Sequence, residues 1–320
     1  MESSLLHARL KRFKIVQGPL AGVSCSVFRD LIWQYSQPAW VYSEMISCKT
    51  ILNGSEQIKN RYLHVSEHEG PVCMQIATSD PSECAKACQV LNEMPINMID
   101  LNVGCPVKKI RKRQQGSFLL SDSKRLAMII QAMRDHTDKA ISVKIRVDGG
   151  SNQAYNESVL EVVNAKKPDF LVVHGRHYQD GYDVSCDLSQ IAFFAKHASM
   201  PVIGNGDVCD ATSTQKMLGT GCAGAMISRA TVGAPWLIAQ IQSELGEGRR
   251  CVSLSQAQRW QVFIKHIHRL SVFLGGEKHA LLHAKGLIKY YAKRNGFSKS
   301  LLDLVRKVST LDDLVKIHSF

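Results

Sequence analysis

Cys105 is the residue best suited to chemistry, because its thiol stands beside a dense run of cations. It lies in LNVGCPVKKIRKRQQGSFLL, where five of the six residues from Lys108 to Arg113 are Lys or Arg. Nearby positive charge lowers the pKa of a thiol and makes it reactive, and the same charge attracts a nucleic-acid backbone. Both effects predict a cysteine that meets a substrate carried on RNA. The alternative is a small buried residue in the tight loop that Gly104 and Pro106 predict.

Several polar residues end short apolar runs further along the chain. Lys144 and His174 each end such a run, and Asn205-Gly206-Asp207 and Ser228-Arg229 end the next two. Glycine amides and helix N-termini bind phosphates, which predicts a phosphorylated cofactor. Lys144 and His174 would then supply positive charge or hydrogen bonds to an anionic reduced flavin. Taken alone, each is more often a solvated or hydrogen-bonded strand end.

Eight short apolar or β-branched runs alternate with longer helical patterns and position these residues. The predicted strands are Lys14–Gly18, Ala39–Ser43, Val72–Ala77, Ile96–Asn102, Ile141–Arg146, Asp169–His174, Pro201–Asn205 and Ala223–Ile227. Helical patterns such as Pro81–Glu93 and Ser121–Asp135 begin next to Ser and Asp, which are good helix start signals. Strands that alternate with helices pair in parallel, so eight such units predict an α/β fold, a (β/α)8 TIM barrel.

Chemistry in such a barrel lies at the carboxyl ends of the strands. The polar strand ends are, in order, Gly18-Pro19, Ser43-Glu44, Gln75, Asn102 with Gly104-Cys105, Lys144 with Arg146, His174-Gly175-Arg176, Asn205-Gly206-Asp207 and Ser228-Arg229. A barrel built only for stability has no need of this ring, because each polar group must find a partner or water. The ring therefore predicts a functional site at this face.

The alternation of strands and helices stops after the eighth strand. Three helical patterns follow, over Leu254–Leu274, His279–Asn295 and Lys299–Phe320. They predict a catalytic barrel over residues 1–245 and a small C-terminal helical domain over residues 246–320. In the second pattern Lys285, Lys289 and Lys293 are four residues apart and share one helix face. Such a stripe is either simply solvated or faces phosphates.

The composition is that of an ordinary globular protein of 320 residues. It is 45% hydrophobic and 21% charged, which excludes disordered, collagen-like and coiled-coil classes. The net charge of +12 is uneven, because residues 237–320 hold 14 Lys and Arg against 6 Asp and Glu. Neutralising phosphates releases counterions, so this basic region predicts a polyanionic partner; the alternative is a merely soluble tail.

Neither a membrane span nor a signal peptide is predicted. No window approaches ~18 consecutive apolar residues, and His7, Arg9, Lys11 and Arg12 interrupt the first residues. A cytoplasmic location is therefore expected. The ten cysteines follow no regular spacing, so reduced thiols are expected, and no His or third Cys completes a metal site around the one close pair.

Eight segments carry most of these polar strand ends. They are GPLAGVSCSVFR (18–29), SEM (43–45), Gln75, DLNVGCPVKK (100–109), VKIR (143–146), VVHGR (172–176), PVIGNGD (201–207) and GAMISRATVGAPW (224–236). Together they resemble the tRNA-dihydrouridine synthase family, collinearly over roughly residues 14–245. The basic helical region stands where that family has its RNA-binding helical domain. NxGCP, HGR and NGD in this order are specific, whereas any one of them alone is weak.

The resemblance implies a barrel that binds flavin mononucleotide (FMN) and reduces the C5–C6 double bond of selected uridines in tRNA, usually with NADPH. Cys105 matches the family cysteine that donates a proton to C5 while flavin N5 delivers hydride to C6. A general acid suits this step, because hydride addition leaves an enolate-like carbanion at C5. The matching cofactor residues are Pro19, Leu20 and Ala21 beneath the ring, Gln75, Lys144 and His174 at its polar edge, and Asn205, Gly206, Asp207, Ser228 and Arg229 at the phosphate.

The target uridine must leave its stack to reach a flavin at the barrel mouth, so base flipping is expected. The predicted substrate-binding residues are Asn102, Arg176, Lys108, Lys109, Arg111, Lys112, Arg113, Lys285 and Lys289. Arg176 would contact either the base or the cofactor. The partner is tRNA, and a monomer without an obligate protein partner is expected. The sequence does not decide which uridine is modified, or between NADPH and NADH.

Three departures from the family pattern qualify these expectations. Cys25 stands where an acidic or polar residue is common, Gln114-Gln115 where glycines are common, and Ser228 where a glycine precedes the arginine. Serine keeps its backbone N–H, but its side chain adds bulk beside the phosphate. The two glutamines make the loop after Cys105 less permissive than glycines do. They bear on how this loop closes over substrate, and hence on the site of modification.

Two other functions stay open. A flavin barrel that oxidises or reduces a small molecule, similar to dihydroorotate dehydrogenase, would share the phosphate loops and could use a cysteine as acid or base. The basic charge of residues 237–320 favours tRNA over a small molecule. A tRNA-binding protein that has lost catalysis would explain the charge, but it would leave Cys105, Lys144 and His174 without a role.

Overall fold

The β-strands form a closed parallel barrel in the computed structural model, which describes residues 2–149, 154–246 and 253–317. In these ranges the strands are β1 (Ile15–Gln17), β2 (Val41–Tyr42), β3 (Ile46–Ser47), β4 (Val72–Ala77), β5 (Met98–Val103), β6 (Ala140–Arg146), β7 (Phe170–His174), β8 (Val202–Asn205) and β9 (Gly224–Ile227). They pair in the order β2-β1-β9-β8-β7-β6-β5-β4, and β2 also pairs with β4, which closes the ring.

The second position of the barrel is shared by two short strands. Val41 of β2 pairs with Val72, and Ile46 of β3 pairs with Ile76 further along β4. Residues 43–45 between them belong to neither strand. The barrel therefore has eight strand positions, which confirms the predicted (β/α)8 TIM barrel, although the sequence did not predict β3.

Helices surround the barrel and follow it in the chain. They are α1 (Glu2–Phe13), α2 (Ser26–Tyr35), α3 (Cys48–Asn53), α4 (Glu56–Leu63), α5 (Pro81–Asn92), α6 (Lys108–Lys112), α7 (Ser123–His136), α8 (Ala154–Lys166), α9 (Leu188–His197), α10 (Ala211–Leu218), α11 (Leu237–Glu244), α12 (Gln256–Phe273), α13 (Glu277–Asn295), α14 (Lys299–Lys307) and α15 (Leu311–Val315), with 3-10 turns at Gly116–Ser121 and Arg229–Thr231. The carboxylates of Asp80 and Asp122 cap α5 and α7 by accepting backbone N–H groups of the first turn.

The prediction of one helix over Lys299–Phe320 is wrong. Residues 308–310 separate α14 from α15, and residues 318–320 lie outside the described ranges. The Thr310 hydroxyl accepts the Asp313 N–H at 3.0 Å, and the Asp313 carboxylate accepts the Thr310 N–H at 3.2 Å. This reciprocal cap starts a new helix, because it satisfies two backbone donors that have no partner inside the helix.

An apolar core fills the barrel lumen, and α1 closes the end where the strands begin. Leu6, Leu10 and Phe13 of α1 belong to the same buried cluster as Trp40 and Phe170. The three α1 residues are spaced four and three apart, so they lie on one helix face. The carboxyl ends of the strands lie at the opposite end of the barrel from α1.

The helices after residue 253 pack against the barrel. Their apolar side chains continue the core that surrounds the strands, and Arg269 of α12 forms an ion pair with Asp30 of α2. The Asn295 side chain of α13 donates a hydrogen bond to the Gly233 carbonyl at 2.8 Å. These contacts place α13 beside the loop after β9. The domain division at residue 246 stays a prediction.

The nine cysteines of the described ranges are free thiols, and Cys251 lies outside those ranges. No helix within the ranges is long and apolar enough to cross a membrane. Nor do three or more His, Cys, Asp or Glu side chains come together there in a group that could hold a metal ion.

Candidate active site

A cavity of about 760 Å³ opens at the carboxyl ends of the strands. This volume is in the range of pockets that bind cofactors, roughly 300–1,000 Å³. Apolar lining comes from Pro19, Leu20, Ala21, Met45 and Met226. Polar side chains at the ends of β4 to β9 form the other part of the lining. A planar ring with a polar edge could therefore make both apolar contacts and hydrogen bonds in this cavity.

Most of the predicted site residues come together in this cavity. Its lining includes Cys105, Pro19, Leu20, Ala21, Gln75, Asn102, Lys144, His174, Asn205, Gly206, Asp207, Ser228 and Arg229. The lining does not include Arg176, Lys108, Lys109, Arg111, Lys285 or Lys289. Sequence reasoning did not assign to it Tyr182, Val208, Cys209, Tyr290 or Arg294, and it had Lys293 only as part of the basic stripe.

Lys144 is held at the bottom of the polar wall. Its Nζ donates to Oδ1 of Asn205 at 2.9 Å, and Nδ2 of Asn205 donates to the Met226 carbonyl at 3.1 Å. Burial lowers the pKa of Lys144 to about 8, although the charge of Asp100 opposes that shift. The ammonium is therefore charged at neutral pH, with hydrogens left to donate to an acceptor atom.

His174 is a neutral member of the same wall. Burial and the charges of Lys144, Arg146 and Arg176 hold its pKa far below the usual range for histidine. Nε2 of His174 lies 3.2 Å from Nη1 of Arg176 and accepts from it, because a guanidinium can only donate. The other ring nitrogen then carries the single proton of the neutral imidazole.

Arg176 lies behind the cavity. Its Nη2 contacts both carboxylate oxygens of Asp207 at 2.6 Å, and its Nε donates to the Val184 carbonyl at 2.6 Å. The backbone N–H of Cys186 also donates to Asp207, at 2.9 Å. Asp207 adopts a left-handed backbone with φ 53°. Arg176 therefore holds the loop after β8 in place.

The ends of β8 and β9 form a cationic corner. Gly206 has φ 130°, and a Cβ on it would lie 2.5 Å from the sulfur of Cys186, so only glycine fits there. The guanidinium of Arg229 lies over the Tyr182 ring at 3.6 Å from its centroid. The Ser228 hydroxyl lies where a side chain on Gly18 would be. The absence of a side chain at Gly18 therefore leaves room for the Ser228 hydroxyl.

The loop of Cys105 is fixed by hydrogen bonds on both sides of the cysteine. Its N–H donates to Oδ1 of Asn102 at 2.9 Å. Its carbonyl accepts from the N–H of Ser117 at 3.1 Å and from the Ser117 hydroxyl at 2.9 Å. Arg111 donates to the same hydroxyl at 2.9 Å. Gly116 has φ 62°, and a Cβ on it would lie 2.9 Å from the Cys105 oxygen.

The expectation of a lowered pKa for Cys105 is wrong. Burial raises the pKa of this thiol, and the opposing effects of the Val107 N–H and of Arg146 are smaller. Lys108 and Lys109 are exposed, so solvent screens their charge from the half-buried sulfur. Cys105 therefore keeps its proton at neutral pH.

The departures from the family pattern have visible structural consequences. Gln114 adopts φ 58°, which costs about 1–2 kcal/mol for a residue other than glycine. Gln115 is buried, and its side-chain oxygen has no hydrogen-bond partner in the described part of the chain. Cys25 precedes α2 without a side-chain cap, and burial raises the pKa of its thiol.

The predicted basic substrate-binding residues differ in exposure, and one of them is half-buried against an aromatic ring while others extend into solvent. Arg111 is half-buried, with its guanidinium 3.8 Å from the centroid of the Tyr178 ring. Lys289 is exposed, and its Nζ lies 4.9 Å from the centroid of the Tyr290 ring. Of the predicted α13 stripe, only Lys293 reaches the cavity, next to Arg294.

Comparison with known proteins decides the family. The family model described as dihydrouridine synthase matches residues 15–319. The chain belongs to the dihydrouridine synthase family. Among its relatives are proteins named tRNA-dihydrouridine synthase B: one from Shewanella oneidensis is 30% identical over 279 residues, 87% of this chain and 86% of that protein. Those of Proteus vulgaris and Escherichia coli K12 are 29% and 28% identical, over 89% and 90% of this chain and 89% and 91% of their own lengths.

The matched region includes both the barrel and the helices after it, since it extends to residue 319. The resemblance found in the sequence motifs over residues 14–245 is therefore confirmed. Family membership also agrees with the cavity, whose lining combines the NxGCP, HGR and NGD segments with side chains of α13.

Proposed function

We propose that this protein is a tRNA-dihydrouridine synthase, which reduces the C5–C6 double bond of uridine in tRNA with FMN and NADPH. The observation that carries the proposal is the position of the Cys105 thiol in the lining of the same cavity as Lys144, His174 and Asn205. Burial raises the pKa of this thiol, which favours its protonated form. Membership of the dihydrouridine synthase family supports the same reaction.

The cavity fits FMN. Gly206, Ser228 and Arg229 line the cavity together and would hold the phosphate, since backbone N–H groups and a guanidinium can donate to its oxygens. Pro19 and Ala21 offer an apolar surface to the ring. Lys144 would donate to acceptor atoms at the polar edge. When bound, FMN supplies the hydride that goes to C6 of the uridine.

Cys105 holds the other hydrogen of the reduction. Its S–H proton goes to C5, which takes the electron pair of the former double bond, and the sulfur keeps the pair of the broken S–H bond. The thiolate then takes a proton from solvent, so the residue returns to its starting state. The hydrogen bonds of Asn102 and Ser117 to the Cys105 backbone hold the sulfur in one place for this step.

The rim of the cavity is suited to RNA rather than to a small molecule. Lys293 and Arg294 of α13 are exposed and line the same cavity as Cys105. Cations at this position can bind backbone phosphates on either side of a flipped-out uridine. A dihydroorotate-dehydrogenase-like enzyme has no use for them. A cytoplasmic location and a monomeric state stay predictions.

An absorbance spectrum of the purified protein tests the cofactor and the reaction in one cuvette. Bands at about 375 and 450 nm would identify the flavin. NADPH should bleach them, and tRNA that lacks dihydrouridine should restore them, whereas fully modified tRNA should not. Reoxidation by a free pyrimidine in place of tRNA would favour a small-molecule enzyme. A colourless protein that takes up no FMN would leave only the RNA-binding function.

A further inference from the structure

A buried carboxylate lies below the cavity and has no part in the proposed reaction. Asp100 in β5 is 0% exposed and is not in the cavity lining. It pairs in register with Gln75 of β4 and with Ser142 of β6. The Ser142 hydroxyl donates to its Oδ1 at 2.5 Å, and Nε2 of Gln75 donates to its Oδ2 at 2.8 Å.

One chain of hydrogen bonds links this carboxylate to the Cys105 loop. Oε1 of Gln75 accepts from Nδ2 of Asn102 at 2.8 Å. Oδ1 of Asn102 accepts the N–H of Cys105 at 2.9 Å and that of Gly104 at 3.3 Å. Every link has a defined donor and a defined acceptor.

The two ends of the chain determine the orientation of both amides. A backbone N–H can only donate, so Asn102 must turn its oxygen to Cys105 and its nitrogen to Gln75. An ionised carboxylate can only accept, so Gln75 must turn its nitrogen to Asp100. Each amide nitrogen has one further hydrogen, and both residues line the cavity. The wall at Gln75 and Asn102 therefore presents N–H donors to a ligand.

We propose that Asp100 is a positioning residue that acts through Gln75 and Asn102. It makes this wall a donor surface, complementary to carbonyl or ring-nitrogen acceptors of a heterocycle, and it anchors the backbone of Cys105. The identification of the ligand as a heterocycle rests on the proposed function. The anchoring of the Cys105 backbone is independent of it. A buried, ionised group without a salt bridge in the described ranges is costly, and this role explains its place in the barrel lumen.

The charge of Asp100 supports this role. Burial raises the pKa of Asp100 to about 6, and the hydrogen bonds of Ser142 and Gln75 and the charge of Lys144 limit the rise. The carboxylate is therefore ionised at pH 7.5. Other titratable groups near it are Tyr42 and Cys73, whose pKa values burial raises well above their usual range. Both stay neutral at that pH.

The experiment measures alkylation of Cys105 by iodoacetamide at pH 7.5, followed on its peptide by mass spectrometry. Asp100→Leu should raise the rate severalfold, because the amides lose their fixed orientation and the loop loosens. Asp100→Asn should leave the rate as in the wild type, because the amide oxygen can still accept from Gln75 while its nitrogen faces the Ser142 hydroxyl. Tyr42→Phe is the matched control, since it removes a buried polar group near Ser142 without touching Gln75.

A second variant covers a failure of Asp100→Leu to fold. Gln75→Met breaks the chain at its next link and should raise the alkylation rate to the same extent. Adding Asp100→Leu to Gln75→Met should change the rate no further, because residues that act as one unit are not additive. Equal rates in wild type, Asp100→Leu and Gln75→Met would overturn the proposal, as would additive effects or a rise in Tyr42→Phe.

FMN affinity separates this proposal from the proposed function. If the wild type binds FMN, Asp100→Leu should weaken binding, measured by quenching of flavin fluorescence, and Asp100→Asn should weaken it less. If the wild type binds no FMN, the proposed function fails, but the alkylation rates still decide whether Asp100 anchors Cys105. Unaltered FMN binding in Asp100→Leu would overturn the donor-surface part of the proposal.

Discussion

The thiol of Cys105 follows the strand end by two residues and precedes five cations, yet burial raises its pKa and leaves it protonated. Sequence reasoning gave most weight to the cations. Their side chains extend into solvent. Dissolved ions there screen the electrostatic effect of a charge over a distance of about 10 Å. The position of the sulfur inside the cavity mouth is therefore what determines its protonation, and it suits an acid better than a nucleophile.

Cys105→Ala should lower kcat about 10²–10⁴-fold, because general-acid catalysis contributes that much. FMN binding and tRNA binding should be unchanged, since the backbone of residue 105 makes the hydrogen bonds that hold the loop. Single-turnover reoxidation of the reduced flavin by tRNA measures the effect. Cys105→Ser is the control of similar size, and near-normal turnover in the alanine variant would remove the assignment of the proton donor.

Lys144 predicts a pH dependence of FMN binding. Its pKa of about 8 means that the ammonium loses its charge between pH 7 and pH 9. Asp100, with a pKa of about 6, and Cys186, with a pKa of about 11, keep their charge states over most of that interval, and Arg146 stays cationic. The affinity should fall about tenfold as one charged hydrogen bond is lost. Fluorescence titrations at several pH values measure this, and Lys144→Met should give weak binding with a flat profile.

At the scale of elements, α6 and the residue that follows it carry two kinds of cation that the sequence does not distinguish. Arg111 is directed at Ser117 and stacks on Tyr178, so it ties the Cys105 loop to the loop after β7. Its neighbour Arg113 is exposed. Which side chains of a helix become buried depends on packing against residues that are distant in the chain. A single sequence does not specify those contacts.

Arg111→Ala should therefore lower kcat, by about tenfold if the Cys105 loop shifts, without changing the salt dependence of tRNA binding. Arg113→Ala should do the opposite: the slope of log affinity against log salt should fall by about 1, with kcat unchanged at saturating tRNA. Filter binding between low and moderate salt, together with turnover at saturating tRNA, separates the two. A reduced salt slope in Arg111→Ala would assign it to the RNA.

The α13 stripe leads to a similar comparison. Lys293 and Arg294 line the cavity, whereas Lys289 and Lys285 lie one and two turns further along the helix from Lys293. Lys293→Ala with Arg294→Ala should weaken tRNA binding more than Lys285→Ala with Lys289→Ala, and each pair should lower the salt slope by up to about 2. Equal losses in the two double variants would mean that the stripe contacts RNA outside the cavity.

At the scale of the whole molecule, the strands could be predicted because a buried parallel strand needs an apolar run, and the site could be predicted because polar residues end those runs. The role of Arg176 could not, since its partner Asp207 lies 31 residues away. The face of α13 that meets the cavity depends on docking against Gly233. The sequence does carry a signal for α1, because Leu6, Leu10 and Phe13 have the spacing of one helix face.

The docking of α13 on the barrel brings Lys293 and Arg294, which we propose bind RNA, to the cavity, and Gly233 controls this docking. Gly233 has φ 82°, and a Cβ on it would lie 2.6 Å from the backbone nitrogen and Cα of Tyr291. Asn295 donates to its carbonyl from the same helix. A methyl group at position 233 must therefore push α13 away, and with it Tyr290, Lys293 and Arg294.

Gly233→Ala should weaken tRNA binding, raise KM for tRNA and lower the melting temperature, while FMN binding to the barrel strands is largely kept. Gly275→Ala is the matched control, because Gly275 has a similar φ of 68° but nothing within 4 Å of an added Cβ. Both variants bear the cost of a left-handed alanine, about 1–2 kcal/mol, and only Gly233→Ala bears the clash. If the two lose equal stability and tRNA affinity, the contact of α13 with the barrel does not organise the RNA site.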